Sequence, residues 1–269
     1  MELKSKKIAI IGCGNIGSAI ATGIIKTESV KSENIYITRR KHEALKKYKK
    51  FGINTTADNK SAVRNSEIII IAVTPHQLDT VLIDIKDTLE EKKHIIFSVV
   101  SGVSIETIKN KIGKNIPVVR VMPNTAIKIS ESMTCLSIHK ENKRALDLAK
   151  QLFDLLGSTL IIKEELMVSA TVLGACGLAF FLRAVRAASQ GGIEIGFHAE
   201  EALFIAAQTA KGAASILLQN KTHPEEEVDK VTTPQGCTIA GLNEMEHHGF
   251  SSSLIKGIVT SAEKCSKLS

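Results

Sequence analysis

Residues 12–17 read Gly12-Cys13-Gly14-Asn15-Ile16-Gly17, directly after the apolar run Lys7 to Ile11 and at the head of a helical pattern, Ile16 to Thr27. At a strand-to-helix turn the three glycines have separate tasks. Gly12 permits the tight turn, Gly14 lets the backbone approach a pyrophosphate, and Gly17 lets the helix pack on the strand. The free N–H groups at the helix start, around Asn15 and Ile16, then face the anion. Alone, the hexapeptide is also what a plain glycine-rich turn looks like. With a second strand, Asn34 to Thr38, after the helix, it stands in the βαβ context of dinucleotide binding.

The same alternation continues. Ile68 to Val73, His94 to Val99 and Val118 to Met122 are nearly continuous apolar runs, as expected for parallel strands covered on both faces. Helical patterns near His42 to Phe51, Leu78 to Leu89 and Ser104 to Lys111 separate the strands, and Ser132 to Ser137, a helix over Asn142 to Leu156 and Thr159 to Ile162 close the series. This predicts an α/β fold, a doubly wound parallel sheet, over residues 1–162. Residues 163–269 read as all-helical: Glu164 to Gln190, Ala199 to Gln219 and Ser251 to Lys267, interrupted at Gly191-Gly192 and Pro224. The 269 residues suit one large or two modest domains at roughly 150 residues each.

The first helical stretch is apolar nearly all round and rich in small residues, from Ser169 to Ala179, so something must bury it. Its uncharged part, Leu166 to Leu182, falls short of the ~20 apolar residues of a membrane span, and a buried helix is expected, with a second copy of the chain as the cover. The start of the chain carries no complete signal-peptide core, because Gly12 and Gly14 interrupt it. Five scattered cysteines form no CxxC pair, which argues against a disulfide framework or a zinc site and for a reducing cytoplasm. No metal is expected.

The net charge of +7 is local: residues 1–50 hold twelve Lys/Arg against four acids. With no Trp and two Tyr the chain lacks stacking platforms, so nucleic acid is not the expected partner. A site for NAD would place an acid at the end of the second strand, about 20 residues past the glycines, to bind the ribose 2′-hydroxyl. Here Tyr36-Ile37 runs into Thr38-Arg39-Arg40-Lys41. A hydroxyl and fixed cations there suit the 2′-phosphate of NADP, with NADPH preferred and NADH possible; the alternative is a solvated basic start to the next helix.

The segment Val231-Thr232-Thr233-Pro234-Gln235-Gly236-Cys237-Thr238-Ile239-Ala240-Gly241-Leu242, with Glu246 and Gly249, closely resembles the signature of the pyrroline-5-carboxylate reductases. The likeness extends to Gly12–Gly17, Ala72-Val73-Thr74-Pro75, Arg120-Val121-Met122-Pro123-Asn124-Thr125, Gln208-Thr209 with Gly212, and His223-Pro224 with Asp229. The resemblance implies a Rossmann domain followed by a helical dimerisation domain. It implies an oxidoreductase of proline biosynthesis that reduces the cyclic imine 1-pyrroline-5-carboxylate to L-proline, the hydride passing from nicotinamide C4 to the imine carbon.

From chemistry alone, Thr233 to Thr238 is a turn ahead of an apolar-patterned helix, offering N–H donors and a positive helix end to a carboxylate. The plainer alternative is that Thr233 or Thr238 caps that helix. By resemblance, Thr233, Pro234, Gln235, Gly236, Cys237 and Thr238 hold the substrate carboxylate, and Thr238 stands beside the imine nitrogen as proton donor or water-positioning group. Similarity likewise puts Ala72, Val73, Thr74 and Pro75, with Val99, Val100 and Ser101, along the cofactor, and Asn59 near its adenosine. Ala72-Val73 also reads as plain core, although the carboxyl end of a strand favours a site.

The departures from the family pattern cluster near the substrate. Ala175-Cys176-Gly177-Leu178-Ala179 stands for a Gly-Ser-Gly-Pro-Ala-like run, Arg186 for an acid, Thr74 for a lysine, and Gln235 for the first glycine of a Pro-Gly-Gly turn. If position 235 requires a positive φ, Gln235 costs about 1 kcal/mol or more. Two other functions compete: a non-catalytic NADP-binding regulatory homologue, which the departures suggest, and an NADP-linked 3-hydroxyacid dehydrogenase, which lacks an evident lysine acid/base. His247-His248 as a metal pair, Cys237 as a nucleophile and His76 as a proton donor are weaker than surface or loop roles for the same residues.

Overall fold

The computed structural model describes residues 2–139 and 142–267. Eight strands form one sheet among the described residues: β1 (Ile8–Ile11), β2 (Ile35–Thr38), β3 (Asn54–Thr56), β4 (Ile68–Ile71), β5 (Ile95–Ser98), β6 (Val118–Met122), β7 (Ser132–Ile138) and β8 (Gly157–Ile161). The order is β3-β2-β1-β4-β5-β6-β7-β8. Every pairing is parallel except β6 with β7. The chain turns back beside its first strand, so β1 is flanked by β2 and β4 and the order reverses there. That is the crevice at which open α/β sheets bind ligands.

The helices of this part are α1 (Asn15–Thr27), α2 (Lys46–Lys49), α3 (Asn59–Arg64), α4 (Pro75–Ile85), α5 (Ile105–Ile112), α6 (Lys143–Asp154) and α7 (Met167–Ala170). The isoleucine-rich strands split their side chains between two cores, as a period of two dictates. Ile8, Ile10, Ile68, Ile70 and Phe97 pack with Ile20 and Ile24 of α1 and Leu152 and Phe153 of α6. Ala9, Ile11, Ile69, Ile71 and Ile96 face the other way, toward Leu78 and Leu82 of α4 and Ile105 and Ile108 of α5.

Several boundaries differ from the sequence reading. β3 and α3 lie where no element was expected. The helix expected over His42 to Phe51 is a 3₁₀ turn, His42–Leu45, followed by the short α2. The helix expected from Leu78 begins at Pro75, whose fixed φ and missing N–H suit a first helical position.

The described residues form two compact units, one of residues 2–176 with 262–267 and another of Gly177–Ser261. The second unit holds α8 (Gly177–Glu194), α9 (Ala199–Asn220), α10 (Pro224–Val231), α11 (Cys237–His247) and most of α12 (Phe250–Ser266). Gly191-Gly192 does not end α8. A Cβ on Gly192 would stand 3.0 Å from Cβ of Ala202, so the glycine lets α9 approach instead. Only Gly177, Ser189 and Ala202 are buried among the described residues of this unit, whereas Phe181, Phe204 and Leu218 lie open. Within the single chain, the expected burial of the apolar stretch is not met.

Candidate functional site

The register aligns Thr38, Ile11, Ile71, Ser98 and Arg120 in one row across β2, β1, β4, β5 and β6. The loops that follow these residues therefore share the carboxyl edge of the sheet. Ala72 N–H donates to Ile11 O and Val99 N–H to Ile71 O, which extends the ladder one residue beyond the strands.

At that edge Gly12 has φ 94°, and a Cβ on it would stand 2.5 Å from Val73 Cγ1 and 2.7 Å from Ala72 O. A Cβ on Gly17 would lie 2.2 Å from Gly12 O. Both positions exclude any side chain on steric grounds. Gly14 differs: a Cβ there meets nothing within 4 Å, so open space lies in front of α1. Helix α1 has no side-chain cap and no acid in its first turn. A bare, positive helix end facing open space fits a pyrophosphate. Asn15 is exposed, Ile16 half-buried, and Cys13 buried with its thiol against Ser18 Oγ.

Thr38 is buried, and its hydroxyl is already engaged: it accepts from Gly12 N–H at 3.3 Å and donates to Asn59 Oδ1 at 2.7 Å. Asn59 in turn donates to Asp84 Oδ2 at 3.2 Å. As placed, Thr38 and Asn59 brace the glycine turn, so the hydroxyl expected at the 2′-phosphate is engaged with Gly12 and Asn59 here. Arg39 and Arg40 are exposed at the end of β2 and have no ion pair among the described residues. Ala72, Val99 and Val100 are buried and offer backbone at the edge, Val73 is half-buried, and Thr74, Pro75 and Ser101 are exposed. Gln77 Oε1 accepts from Thr74 N–H at 3.3 Å. His76 is exposed.

In the second unit, Thr233-Pro234-Gln235-Gly236 is a β-turn closed by Gly236 N–H to Thr233 O at 2.9 Å. Pro234 takes its second position and Gln235, with φ 59°, its third, where a type II turn demands the left-handed region. The positive φ that the sequence made a condition of strain is present. A Cβ on Gly236 would stand 2.4 Å from Thr233 Oγ1. Helix α11 starts after Gly236 without a side-chain cap or an acid in its first turn, so the capping role considered for Thr233 is not seen. Thr233, Pro234, Gln235, Cys237 and Thr238 are exposed. This turn can offer N–H groups and a hydroxyl to a small anion.

Arg120 and Asn124 belong to the Arg120–Thr125 segment that resembles the family, where the sequence implies no role for either. Arg120 is buried in β6, with Nη1 3.2 Å from Glu164 Oε1, which also accepts from Ile105 N–H at 2.7 Å. A charge inside the run Val118 to Met122 was the available signal, since a buried cation needs a partner. Asn124 donates to Gly174 O at 3.0 Å, inside a π-helical turn over Thr171–Cys176. Burial, and after it the neighbouring Cys265 thiol, push the Cys176 thiol above its ordinary value, so it stays protonated at neutral pH. Among the described residues no group of three or more His, Cys, Asp and Glu could hold a metal ion.

Comparison with known proteins covers both parts of the chain. A family model described as pyrroline-5-carboxylate reductase dimerisation matches residues 164–268, and one described as NADP oxidoreductase, coenzyme F420-dependent, matches residues 7–102. Pyrroline-5-carboxylate reductase 1 of Dictyostelium discoideum is 52% identical over 280 residues, covering 100% of this chain, which spans only 51% of that relative. Pyrroline-5-carboxylate reductase 2 of the same organism is 48% identical over 283 residues, covering 99% of this chain and 94% of the relative. The crystal structure of Plasmodium falciparum pyrroline carboxylate reductase with NADP bound matches the fold with a TM-score of 0.89 at 24% identity, covering 98% of each chain.

Proposed function

The chain belongs to the pyrroline-5-carboxylate reductase family, oxidoreductases that reduce 1-pyrroline-5-carboxylate to proline with a reduced nicotinamide cofactor, and we propose that NADPH is its preferred donor and that the Thr233–Thr238 turn holds the imine's carboxylate. The observation that carries the cofactor half is the open space at Gly14 in front of an uncapped α1. NADPH, when bound, supplies the hydride. The chain's own tasks are to hold, orient and protonate.

The N-terminus of α1 takes the pyrophosphate, with Gly12, Gly14, Asn15, Ile16 and Gly17 around it. Arg39 and Arg40 take the 2′-phosphate, a role supported by their exposure and by the absence of an ion pair to either among the described residues. Ala72, Val73, Thr74 and Pro75, with Val99, Val100 and Ser101, follow the cofactor along the carboxyl edge. At the substrate, the N–H groups that open α11 hold the carboxylate, and the Thr238 hydroxyl holds or relays a proton at the imine nitrogen.

We divide the labour at 162/163, nucleotide binding before it and assembly with substrate binding after it; the separate family matches support that division. The helical run Glu164–Glu194 is long and apolar enough to cross a membrane by length and composition. The dimerisation match covers it, and we assign its open apolar face to a second copy of the chain in a homodimer. Cysteines scattered through the sequence with no CxxC pair suit a reducing cytoplasm.

Steady-state assays with the cyclic imine and each cofactor test the reading. Turnover with a higher kcat/KM for NADPH than for NADH is expected. Selective turnover of a hydroxyacid, or tight NADPH binding without turnover, would overturn it. Thr238→Ala is expected to lower kcat by about 100-fold, the lower range for a lost proton-transfer group, with NADPH affinity unchanged.

A further inference from the structure

The strand order fixes a direction for the cofactor. Arg39 and Arg40 follow β2 on one side of the glycine turn, so an adenosine there sends the nicotinamide the other way, across β4 and β5 toward β6. Two residues past the end of β6 stands Asn124, 8% exposed. Its N–H donates to Ser132 Oγ at 3.1 Å, its Oδ1 accepts from Ala126 N–H at 3.0 Å, and its Nδ2 donates to Gly174 O.

Gly174 lies in the π-helical turn Thr171–Cys176. A π turn carries one residue too many for α geometry, leaves a carbonyl off the regular ladder, and recurs at functional sites. Asn124 donates to the Gly174 carbonyl of that turn and so ties the turn to the carboxyl edge of the sheet. Thr171 Oγ1 donates to Met167 O at 2.8 Å, a side-chain bond of the kind that bends helices. Ala175 and Cys176 close the turn, half-buried, with open space beside Gly174.

We propose that Asn124 is a positioning residue for imine reduction: its amide, through Gly174 O, sets the π-helical turn that walls the nicotinamide end of the site. This rests on the reading of the cofactor and substrate given above. The residues that depart from the family pattern at 175 and 176 then shape that wall directly, and Asn124 acts through them.

Two substitutions separate this role from simple capping. Asn124→Asp keeps an oxygen for Ala126 N–H but turns an oxygen toward Gly174 O, whereas Asn124→Ala removes both contacts. Both are expected to lower kcat/KM for the imine about ten-fold or more, since small misplacements near reacting atoms are costly. NADPH Kd, read by fluorescence, should stay at the wild-type value, and amide hydrogen exchange over residues 171–177 should speed up in both. If Asn124→Ala does not fold, the isosteric Asn124→Asp gives the same readouts. Wild-type kinetics and exchange in Asn124→Asp would show that the residue only caps the 125–129 turn, which overturns the proposal. Loss of NADPH affinity in step with turnover would overturn it as well. A wild-type chain that does not reduce the imine defeats the underlying reading; a competent wild type with indifferent variants defeats this inference alone.

Discussion

The two units solve the same problem by different means. In the first, the strand residues Ile8, Ile10, Ile69 and Ile70 are fully buried by helices of the same chain. In the second, Phe204 is 71% and Leu218 78% exposed on a helix of twenty-two residues. Apolar content is therefore a poor guide to self-sufficiency. A sheet covered on two faces buries its side chains within the chain, but a few long helices present more apolar surface than they can cover, and the remainder is completed by association.

The largest effects should come from testing that contrast directly. Ile70→Ala is expected to cost about 3–4 kcal/mol in a denaturant titration, as for other buried large-to-small changes. Phe204→Asp should leave the nucleotide-binding unit folded and shift sedimentation from dimer to monomer. A Phe204→Asp chain that still sediments as a dimer would break the comparison. Next, Arg39→Ala with Arg40→Ala should weaken NADPH by about 10- to 100-fold, the range for a lost charge-assisted hydrogen bond, and leave NADH unchanged by calorimetry. Equal loss of both would remove the 2′-phosphate assignment.

Smaller effects sharpen the contrast. Gln235→Gly should relieve about 1 kcal/mol of left-handed strain and raise Tm by about 2–4 °C. The slightest effect expected is one of pH and belongs to the first unit. His94 Nδ1 accepts from Glu90 N–H at 2.8 Å and its Nε2 faces Val63 O at 3.2 Å, so the ring is held neutral. Burial foremost lowers its pKa from 6.5. The unfolded chain then takes up the proton first, so this contribution is complete above the unfolded pKa and shrinks as pH falls through it toward the folded value. Tm measured between pH 7.5 and 5.5 should fall, and His94→Gln should flatten the slope.

The strands that carry the site were legible because burial on both faces writes them as unbroken apolar runs. β3 was not: Asn54-Thr55-Thr56 is a short polar edge strand with no such run. The six-residue α3 is too short for helical periodicity to show. Thr38 stands beside two arginines in the sequence, but the same position closes a buried strand, and its hydroxyl is bonded to Gly12 N–H and Asn59 Oδ1. The demand for positive φ at Gln235 could be anticipated from a Pro-x-Gly turn. The Arg120 and Asn124 contacts could not, since their partners lie 44 and 50 residues away with no local pattern to announce them.

The central position of β1 also sets a schedule for folding. Ile11 is matched on one side to Thr38 and on the other to Ile71, far later in the chain, and Ala72 and Val73 crowd the bare Cα of Gly12. The anion cradle is thus assembled from distant pieces and acquires its shape only once the fourth strand has docked, after the slow closure of a long loop. Affinity for the nucleotide therefore depends on the pairing of β4 with β1, however the other elements form.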